Sequence, residues 1–522
     1  MAGTGGQSHR RFWEFVFVAV LVLYPLRHIA WGLDLWDTGY GYANFEYMGT
    51  RHMDPMWLFS TYLTTAIGHC LSLLPGAKTL IGMNFYTGLS ISLLAVLGYY
   101  FCTKVLKIPA WLTFLGEFTA VSFCWCPTGS FYNYVTYIFF LISVICLYLG
   151  LSRGKGGLLF AAGVALGCNV LARFSNLPEA AMIVGVWAYG IICWLEEQKS
   201  ITQDCDDIAG NAETEDKKAR KKAAGRRLRK KLLRDTGMCL AGYLTALLVL
   251  FGYIQIHYGM DAYVNGIMRL FSMTEVATDY TVKSMILGMF DWYLQNLYWE
   301  IRMCVFLIVG MIAVGFLEFA ATSVRDSYAG KDTIKKVLRI LEWVVSAVLA
   351  VIMVFWLYRQ GFCATEYTNY GAIIWPGVTF LTLTLLVTLW RIFMPSAPGE
   401  EKLLSGLIFL IVLITSLGSN NKLYPSMNNL FLALPYMYWQ FYRFCKYAGS
   451  FRWKRMTISP IPAKCLFGGF FLLFFIQVGL FGRSFVFAEG TGVQEINAQV
   501  TNNETLKGVW MSEERAGWMQ EI

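Results

Sequence analysis

Long apolar runs separated by short polar segments restrict the fold of this sequence more than any other feature. A helix that crosses a bilayer needs about 20 apolar residues, because its length must match a hydrocarbon core about 30 Å thick. The runs that meet this length predict helices over 12–31, 79–101, 110–127, 131–151, 157–175, 178–195, 235–257, 299–322, 341–359, 371–390, 403–419, 426–441 and 464–482. We therefore expect an all-α, polytopic membrane protein with about 13 transmembrane helices.

The composition agrees with this class. Hydrophobic residues make up 56% of the 522 positions and charged residues 15%, and the mean hydropathy is +0.49. This balance excludes soluble enzymes and disordered or disulfide-stapled chains. The 13 cysteines are scattered without metal-ligand spacing, so we interpret them as small buried hydrophobes. The net charge of +9 reflects basic loops that set membrane orientation, so no nucleic-acid partner is expected.

Basic residues collect in alternate loops, and the positive-inside rule places those loops in the cytoplasm. The densest run is 217–231, with ten lysines and arginines in fifteen residues. The N-terminus is then predicted to be cytoplasmic and the C-terminal tail extracytoplasmic, in the cell membrane. Segment 56–75 is apolar but interrupted by hydroxyl side chains. We predict that it is an interfacial helix, because a further span here would reverse the orientation of every later loop.

These assignments divide the chain into four parts and leave three sizeable outside segments. The parts are an N-terminal transmembrane module, a charged cytoplasmic loop, a C-terminal transmembrane module and an extracytoplasmic tail, over residues 1–195, 196–234, 235–482 and 483–522. The outside segments are a first loop, a second loop and the tail, over 32–55, 258–298 and 483–522. Extracytoplasmic chemistry is expected on these three segments.

The first outside loop carries two carboxylates three residues apart, Asp34 and Asp37. On one helical turn they share a face, where like-charge repulsion and partial burial would raise the pKa of one carboxyl towards that of a general base. Capping of a short helix is the alternative role. Both roles stay open for Asp34, whereas chemistry is favoured for Asp37. Tyr40 and Tyr42 follow, either flanking a sugar or forming an interfacial aromatic belt.

This layout resembles the GT-C superfamily of integral-membrane glycosyltransferases, which includes protein O-mannosyltransferases and lipid A aminoarabinose transferases. The likeness covers the topology of most of the chain, but the residue match is confined to 34–42. Asp37-Thr38 stands where those two branches carry an Asp-Glu pair. The resemblance implies a polyprenyl-phosphate sugar donor. It also implies an aspartate in this loop that acts as base on the acceptor or holds a divalent cation, with Asp37 the first candidate and Asp34 the second.

A lipid-phosphate donor needs cations at the outer boundary of the bilayer, because the phosphate is only partly hydrated there. Arg173 lies at the outer end of a predicted span, where the positive-inside rule expects no basic residue. It is expected either to bind the donor phosphate or to pair with Glu179. Arg359 ends another span on the same side, and either binds phosphate or extends its charge to the interface.

Two further outside segments contain candidate substrate ligands. Asn420, Asn421 and Lys422 form a polar turn whose side chains suit sugar hydroxyls and phosphate, although asparagine also favours turns for conformational reasons. In the second loop, Asp279 and Tyr280 are the candidates for contact with the acceptor. The histidines form no cluster with ligand spacing, so a divalent cation stays a possibility without assigned ligands.

The function expected from these features is transfer of a glycosyl unit from a polyprenyl-phosphate donor to an extracytoplasmic acceptor, which is a glycan, a lipid or a protein. One alternative is a transporter or flippase of lipid-linked sugars, although coupling residues of transporters usually lie near the bilayer midplane. Another is a polymerase or ligase of undecaprenyl-diphosphate-linked glycans. The expected partners are the lipid-linked sugar, the acceptor and membrane lipid.

Overall fold

The computed structural model describes residues 4–34, 37–50, 53–124, 131–206, 213–276, 281–325, 331–364, 366–367, 369–453, 456–486 and 496–521. Within these residues the chain forms nineteen α-helices and four very short β-strands. The predicted all-α class is therefore confirmed.

The first half of the chain contains α1 (Thr4–Leu23), α2 (Asp37–Glu46), α3 (Pro55–Ser60), α4 (Tyr62–Ser72), α5 (Leu80–Tyr100), α6 (Ala110–Phe123), α7 (Phe131–Arg153), α8 (Gly156–Ala172) and α9 (Val184–Asp206). The second half contains α10 (Glu213–His257), α11 (Met260–Val276), α12 (Val282–Arg325), α13 (Lys331–Arg359), α14 (Ile374–Phe393), α15 (Gly399–Ile414), α16 (Tyr424–Asn428), α17 (Ala433–Tyr447), α18 (Ile461–Ser484) and α19 (Glu513–Glu521). Antiparallel strands pair as β1 (Phe451–Trp453) with β2 (Met456–Ile458), and β3 (Ala498–Gln499) with β4 (Trp510–Met511).

Eight helical segments of the described chain are long and apolar enough to cross a membrane, which fits an integral membrane protein. They are Leu80–Val105, Phe131–Arg153, Phe174–Gln203, Lys217–His257, Lys283–Ala320, Lys336–Arg359, Ile374–Phe393 and Ile461–Ser484. Helices α6 and α8 are apolar but shorter. The other predicted spans fall on α1, α15 and the α16–α17 pair, so the count of thirteen stays a prediction.

Two long predicted loops contain helix where the structure describes them. In 196–234, the end of α9 pairs with the start of α10, and Arg227 forms an ion pair with Glu197 at 2.5 Å. The basic run 217–231 therefore belongs to a 45-residue helix, which at 1.5 Å per residue is about 67 Å long. Segment 258–298 contains α11 and the start of α12. For 217–231 the sequence also allowed an amphipathic helix on the inner leaflet, but a run of like charges lacks the apolar periodicity that would have joined it to the span predicted over 235–257.

Aromatic side chains fill the centre of the bundle, where α6, α14 and α18 meet. Phe380 stacks on Phe474 with ring centroids 4.9 Å apart, and Phe123 stacks on the same ring at 5.8 Å. All three side chains are fully buried. Offset stacking adds to the free energy gained from burying these large rings, so this contact joins helices that are distant in sequence.

Glycines let α8 and α10 approach each other closely. A Cβ atom on Gly163 would overlap the carbonyl oxygen of Cys239, and one on Gly242 would overlap the carbonyl oxygen of Phe160. Small residues at such crossings allow backbone-to-backbone packing, which stabilises helix pairs inside a membrane. The close contact between α8 and α10 therefore requires glycine at positions 163 and 242.

Gly163→Ala is expected to lower the free energy of unfolding by about 1–3 kcal/mol, because the added methyl group forces the two backbones apart. Gly157→Ala, in the same helix, is the matched control because a Cβ there meets no atom within 4 Å. It should be neutral or stabilising by up to about 1 kcal/mol, since alanine favours helix over glycine. Thermal unfolding of both variants in detergent measures this, and equal midpoints would contradict the packing.

Candidate functional site

Residues 496–521, here called the C-terminal segment, form hydrogen bonds with the residues that precede α2. Trp510 in β4 donates its backbone N–H to Ala30 O at 2.7 Å, and its carbonyl accepts from Gly32 N at 2.8 Å. The Arg515 guanidinium donates to Leu33 O at 3.1 Å. Apolar side chains seal the contact in one cluster made of Leu33, Leu80, Val500, Val509, Met511, Ala516 and Met519. The start of α2 is thus fixed by chain almost 500 residues away.

Asp34 and Asp37 come together at the first turn of α2. Asp34 is buried, with 2% of its surface exposed, and its Oδ1 accepts a hydrogen bond from Asp37 N at 3.3 Å. The first N–H groups of a helix have no partner within the helix, so this contact stabilises the start of α2. Of the two roles left open for Asp34 by the sequence, the geometry favours capping.

Asp37 is linked through Tyr132 to the arginine predicted for phosphate binding. The Tyr132 hydroxyl, at the start of α7, donates to Asp37 Oδ2 at 2.9 Å. The Arg173 guanidinium lies over the Tyr132 ring, 4.9 Å from its centroid, and donates to Asn133 Oδ1 at 3.0 Å. The structure therefore brings the candidate base and the candidate phosphate ligand to the same end of the bundle, here called the α2 end.

The alternative partner of Arg173 has a different contact. Glu179 is buried and accepts a hydrogen bond from Asn169 Nδ2. Asn176 Nδ2 in turn donates to Asn169 Oδ1 at 3.4 Å. Arg173 and Glu179 do not form an ion pair within 4 Å among the residues described. The guanidinium donates to Asn133 at the start of α7 and also attracts the Glu179 carboxyl group electrostatically over a longer distance. Both roles of Arg173, phosphate binding and pairing with Glu179, therefore stay open.

A small cavity lies beside Asp37, between α2, α4, α5 and α7. Its volume is about 30 Å³, which is room for one water molecule. Its wall is mainly apolar, and hydroxyl and amide groups are contributed to it by Thr38, Asn44, Thr61, Thr64, Thr65, Asn84 and Thr87. The carboxylate therefore borders a small, mainly apolar space that contains several hydroxyl groups.

A larger open cleft adjoins this cavity and shares Tyr42 and Phe45 with it. The cleft has a volume of about 560 Å³ and lies between α2, the end of α4, the turn before α5 and the turn at Glu504 of the C-terminal segment. Pockets of this volume accommodate small organic ligands. Its charged lining residues are Glu46, Lys78 and Glu504. The α2 end thus offers a sugar-sized space next to the Asp37 cavity.

The two tyrosines predicted to contact a sugar donate hydrogen bonds to the backbone. Tyr40 donates to Trp57 O at 3.0 Å, and its ring lies 4.7 Å from the Trp57 ring. The Tyr42 hydroxyl lies within hydrogen-bond distance of Ala77 O and Thr79 O. Burial raises the pKa of both phenols, so they stay protonated and available as donors. Both side chains connect α2 to neighbouring segments by hydrogen bonds. Both also line the cavity, and Tyr42 lines the cleft as well.

The predicted interfacial segment 56–75 forms most of α3 and all of α4, and α4 packs against α2. Asp54 caps α3 by accepting from Met56 N at 2.8 Å, and it forms an ion pair with Arg269 of α11 at 2.9 Å. A Cβ on Gly266 of α11 would lie 2.5 Å from Pro55 O. Part of the predicted second loop therefore packs as a helix on the predicted interfacial segment.

The polar turn Asn420, Asn421 and Lys422 lies at the α2 end, next to the residues that follow Arg173. A Cβ on Gly418 would lie 2.5 Å from Ser175 O. Lys422 adopts φ 52°, and its Nζ lies 5.4 Å from the centre of the Trp292 ring. The left-handed conformation therefore falls on the lysine and not on either asparagine, although asparagine adopts it more readily. The Lys422 side chain is exposed, so its ammonium group is accessible to an anion.

The remaining candidates are Arg359, Asp279 and Tyr280. Arg359 is exposed at the end of α13, with its guanidinium 5.8 Å from the ring of Phe355 on its own helix. Asp279 and Tyr280 lie outside the described residues. Within the described ranges, no three His, Cys, Asp or Glu side chains gather in one place, so no metal ligands are assigned.

Tyr132 and Asn133 are the site residues that the sequence did not single out. They begin the span predicted over 131–151, where aromatic and polar residues are ordinary markers of the membrane interface. Their role depends on which side chains face them across the bundle, and hydropathy carries no information about this. The available sequence signal for these two site residues was a tyrosine and an asparagine within the first three positions of an apolar span.

Comparison with protein-family models, with curated proteins and with solved structures finds no match for this chain. The geometry described above is therefore the basis for the function proposed below.

Replacing Asp34 distinguishes capping from chemistry. Asp34→Ala removes the oxygen that accepts from Asp37 N, and should lower the free energy of unfolding by about 1 kcal/mol. Asp34→Asn keeps that oxygen and removes the charge, so its stability should stay close to wild type. Denaturant unfolding of both variants tests this. An equal loss in the asparagine variant would show that the negative charge, and not the cap, is what the fold requires.

Proposed function

We propose that this protein transfers a glycosyl unit from a polyprenyl-phosphate donor to an extracytoplasmic acceptor. The observation that carries the proposal is the contact chain from the Asp37 carboxylate through Tyr132 to the Arg173 guanidinium, at one end of an apolar helical bundle. A base and a cation at such a boundary suit a donor whose chain lies in lipid and whose phosphate lies at the surface.

In this proposal Asp37 takes the proton of the acceptor hydroxyl as that oxygen bonds to the anomeric carbon. The bond between the anomeric carbon and the donor phosphate oxygen breaks, and the polyprenyl phosphate leaves with the bonding electrons. Arg173 offsets the charge that the phosphate gains, and Lys422 is the second cation at that end. Tyr132 holds the carboxylate in position through its hydroxyl.

The open cleft supports an approach route for the acceptor. It adjoins the Asp37 cavity, it is large enough for one sugar ring, and it contains both hydroxyl and charged side chains. The N-terminus would be cytoplasmic, so that the α2 end faces the outside of the cell membrane. This orientation rests on the positive-inside rule and on the basic residues of α10, which lie at the opposite end of the bundle.

The role of Asp37 is tested by turnover of labelled polyprenyl-phosphate hexoses and pentoses, measured as release of polyprenyl phosphate. Asp37→Asn should lower turnover by about 10²–10⁴-fold, because a general base contributes about that factor. Glu400→Gln is the matched control, since this exposed carboxylate lies at the start of α15 and belongs to no part of the candidate site. Full turnover in Asp37→Asn would rule out this base.

The link through Tyr132 is tested in the same assay with Tyr132→Phe, which removes only the hydroxyl. A hydrogen bond to a charged group contributes about 1.5–3 kcal/mol, so turnover should fall on the order of ten- to a hundredfold. The fall should be smaller than in Asp37→Asn. Unchanged turnover in Tyr132→Phe would show that the hydrogen bond does not position the carboxylate.

A further inference from the structure

A second carboxyl group, outside the site described above, lies in the centre of the bundle. Glu117 is in the middle of α6, which packs against α1, α5, α17 and α18. Its side chain is fully buried, and neither carboxyl oxygen has a hydrogen-bond partner among the described residues. Buried polar groups in folded proteins nearly always have partners, so this one needs a physical explanation.

The carboxyl group faces a break in a helix. Helices α16 and α17 are separated by residues 429–432, which are buried although they are not helical. The carbonyl of Phe431 would normally accept from the residue four positions later, but that residue is Pro435, which has no N–H. No described backbone N–H donates a hydrogen bond to Phe431 O. The break thus leaves a buried acceptor without a backbone donor.

Gly98 of α5 shows that these two groups border the same small space. A Cβ on Gly98 would overlap Oε1 of Glu117 and would lie 2.9 Å from Phe431 O. The carboxyl group and the carbonyl therefore both face the place where Gly98 lacks a side chain. Two oxygens that border one small space repel each other if both are acceptors, and attract each other if one carries a hydrogen.

The charges around Glu117 do not compensate an ionised carboxylate. No described lysine or arginine forms an ion pair with it. The titratable groups that interact with it electrostatically are the thiols of Cys102, from the α5 side, and Cys124, after α6. An unpaired carboxylate in an apolar interior is far more costly than a neutral carboxylic acid.

We propose that Glu117 is a proton-binding site in the folded bundle, and that the carboxylic acid formed there donates its hydrogen to the carbonyl of Phe431. One bound proton then supplies the donor that Pro435 cannot. It also removes the charge from the centre of the protein. In this arrangement the proton holds α6 against the break between α16 and α17, independently of the chemistry at Asp37.

Infrared spectroscopy of the purified protein in lipid at neutral pH tests the proposal, because protonated and ionised carboxyl groups absorb in separate bands. Glu117→Gln should lose one protonated-acid band present in the wild type and keep the same thermal midpoint, since the amide also donates to Phe431 O. Glu400→Gln is the matched control, because Glu400 is exposed at the start of α15. It should lose only absorbance of ionised carboxylate.

Glu117→Asp provides an independent readout if the glutamine variant does not fold. It keeps the acid but shortens the side chain, so the protonated-acid band should shift and not disappear. The proposal is overturned if the protonated-acid region of either folded variant is identical to that of the wild type. Loss of ionised-carboxylate absorbance alone in Glu117→Gln would also overturn it.

Discussion

Backbone pairing between the C-terminal segment and the residues before α2 is the contact on which the candidate site depends. Trp510 bonds to Ala30 and Gly32, and Arg515 bonds to Leu33. With the chain held on that side, the Asp34 carboxylate can cap α2 and direct Asp37 towards α7. Backbone hydrogen bonds are specific in direction and are satisfied when buried, so they fix α2 more firmly than apolar contact alone would.

The bundle gives the site a rigid support. Gly163 and Gly242 allow backbone contact between α8 and α10, and α8 ends at the residue before Arg173. The guanidinium is therefore presented from the end of a tightly packed helix. The candidate base lies on α2, the candidate cation lies directly after α8, and α7 carries the tyrosine between them. Such an arrangement fixes the distance between groups without requiring them to be neighbours in sequence.

The sequence predicted those parts of the structure that depend on local composition. Hydropathy located the apolar helices, and the position of acidic and basic residues relative to them selected Asp37 and Arg173 separately. The connection through Tyr132 could not be predicted, because it depends on which faces of α2, α7 and α8 meet. For Asp34 the sequence left two roles open, helix capping and chemistry. The sequence could not choose between them, because the choice depends on which backbone N–H the carboxylate contacts.

Two features show further limits of the sequence. Glu117 interrupts a predicted span, and an ionisable residue there is a functional candidate on principle. Its significance depends on Phe431 and Pro435, more than 300 residues later, which no local pattern connects to it. Likewise, the pairing of Trp510 with Ala30 joins opposite ends of the chain. Short strands with so few residues produce almost no alternating pattern for sequence analysis to detect.

Mass spectrometry of the purified protein is the most direct test that the α2 end binds a lipid-phosphate sugar. Wild type and Asp37→Asn should each carry an isoprenoid-phosphate hexose or pentose, because the asparagine variant keeps the phosphate ligand. Arg173→Ala should lose that lipid, since removal of the guanidinium leaves the phosphate without its main cation. Equal amounts of the lipid in Arg173→Ala, or only bulk phospholipid in the wild type, would contradict the proposed donor site.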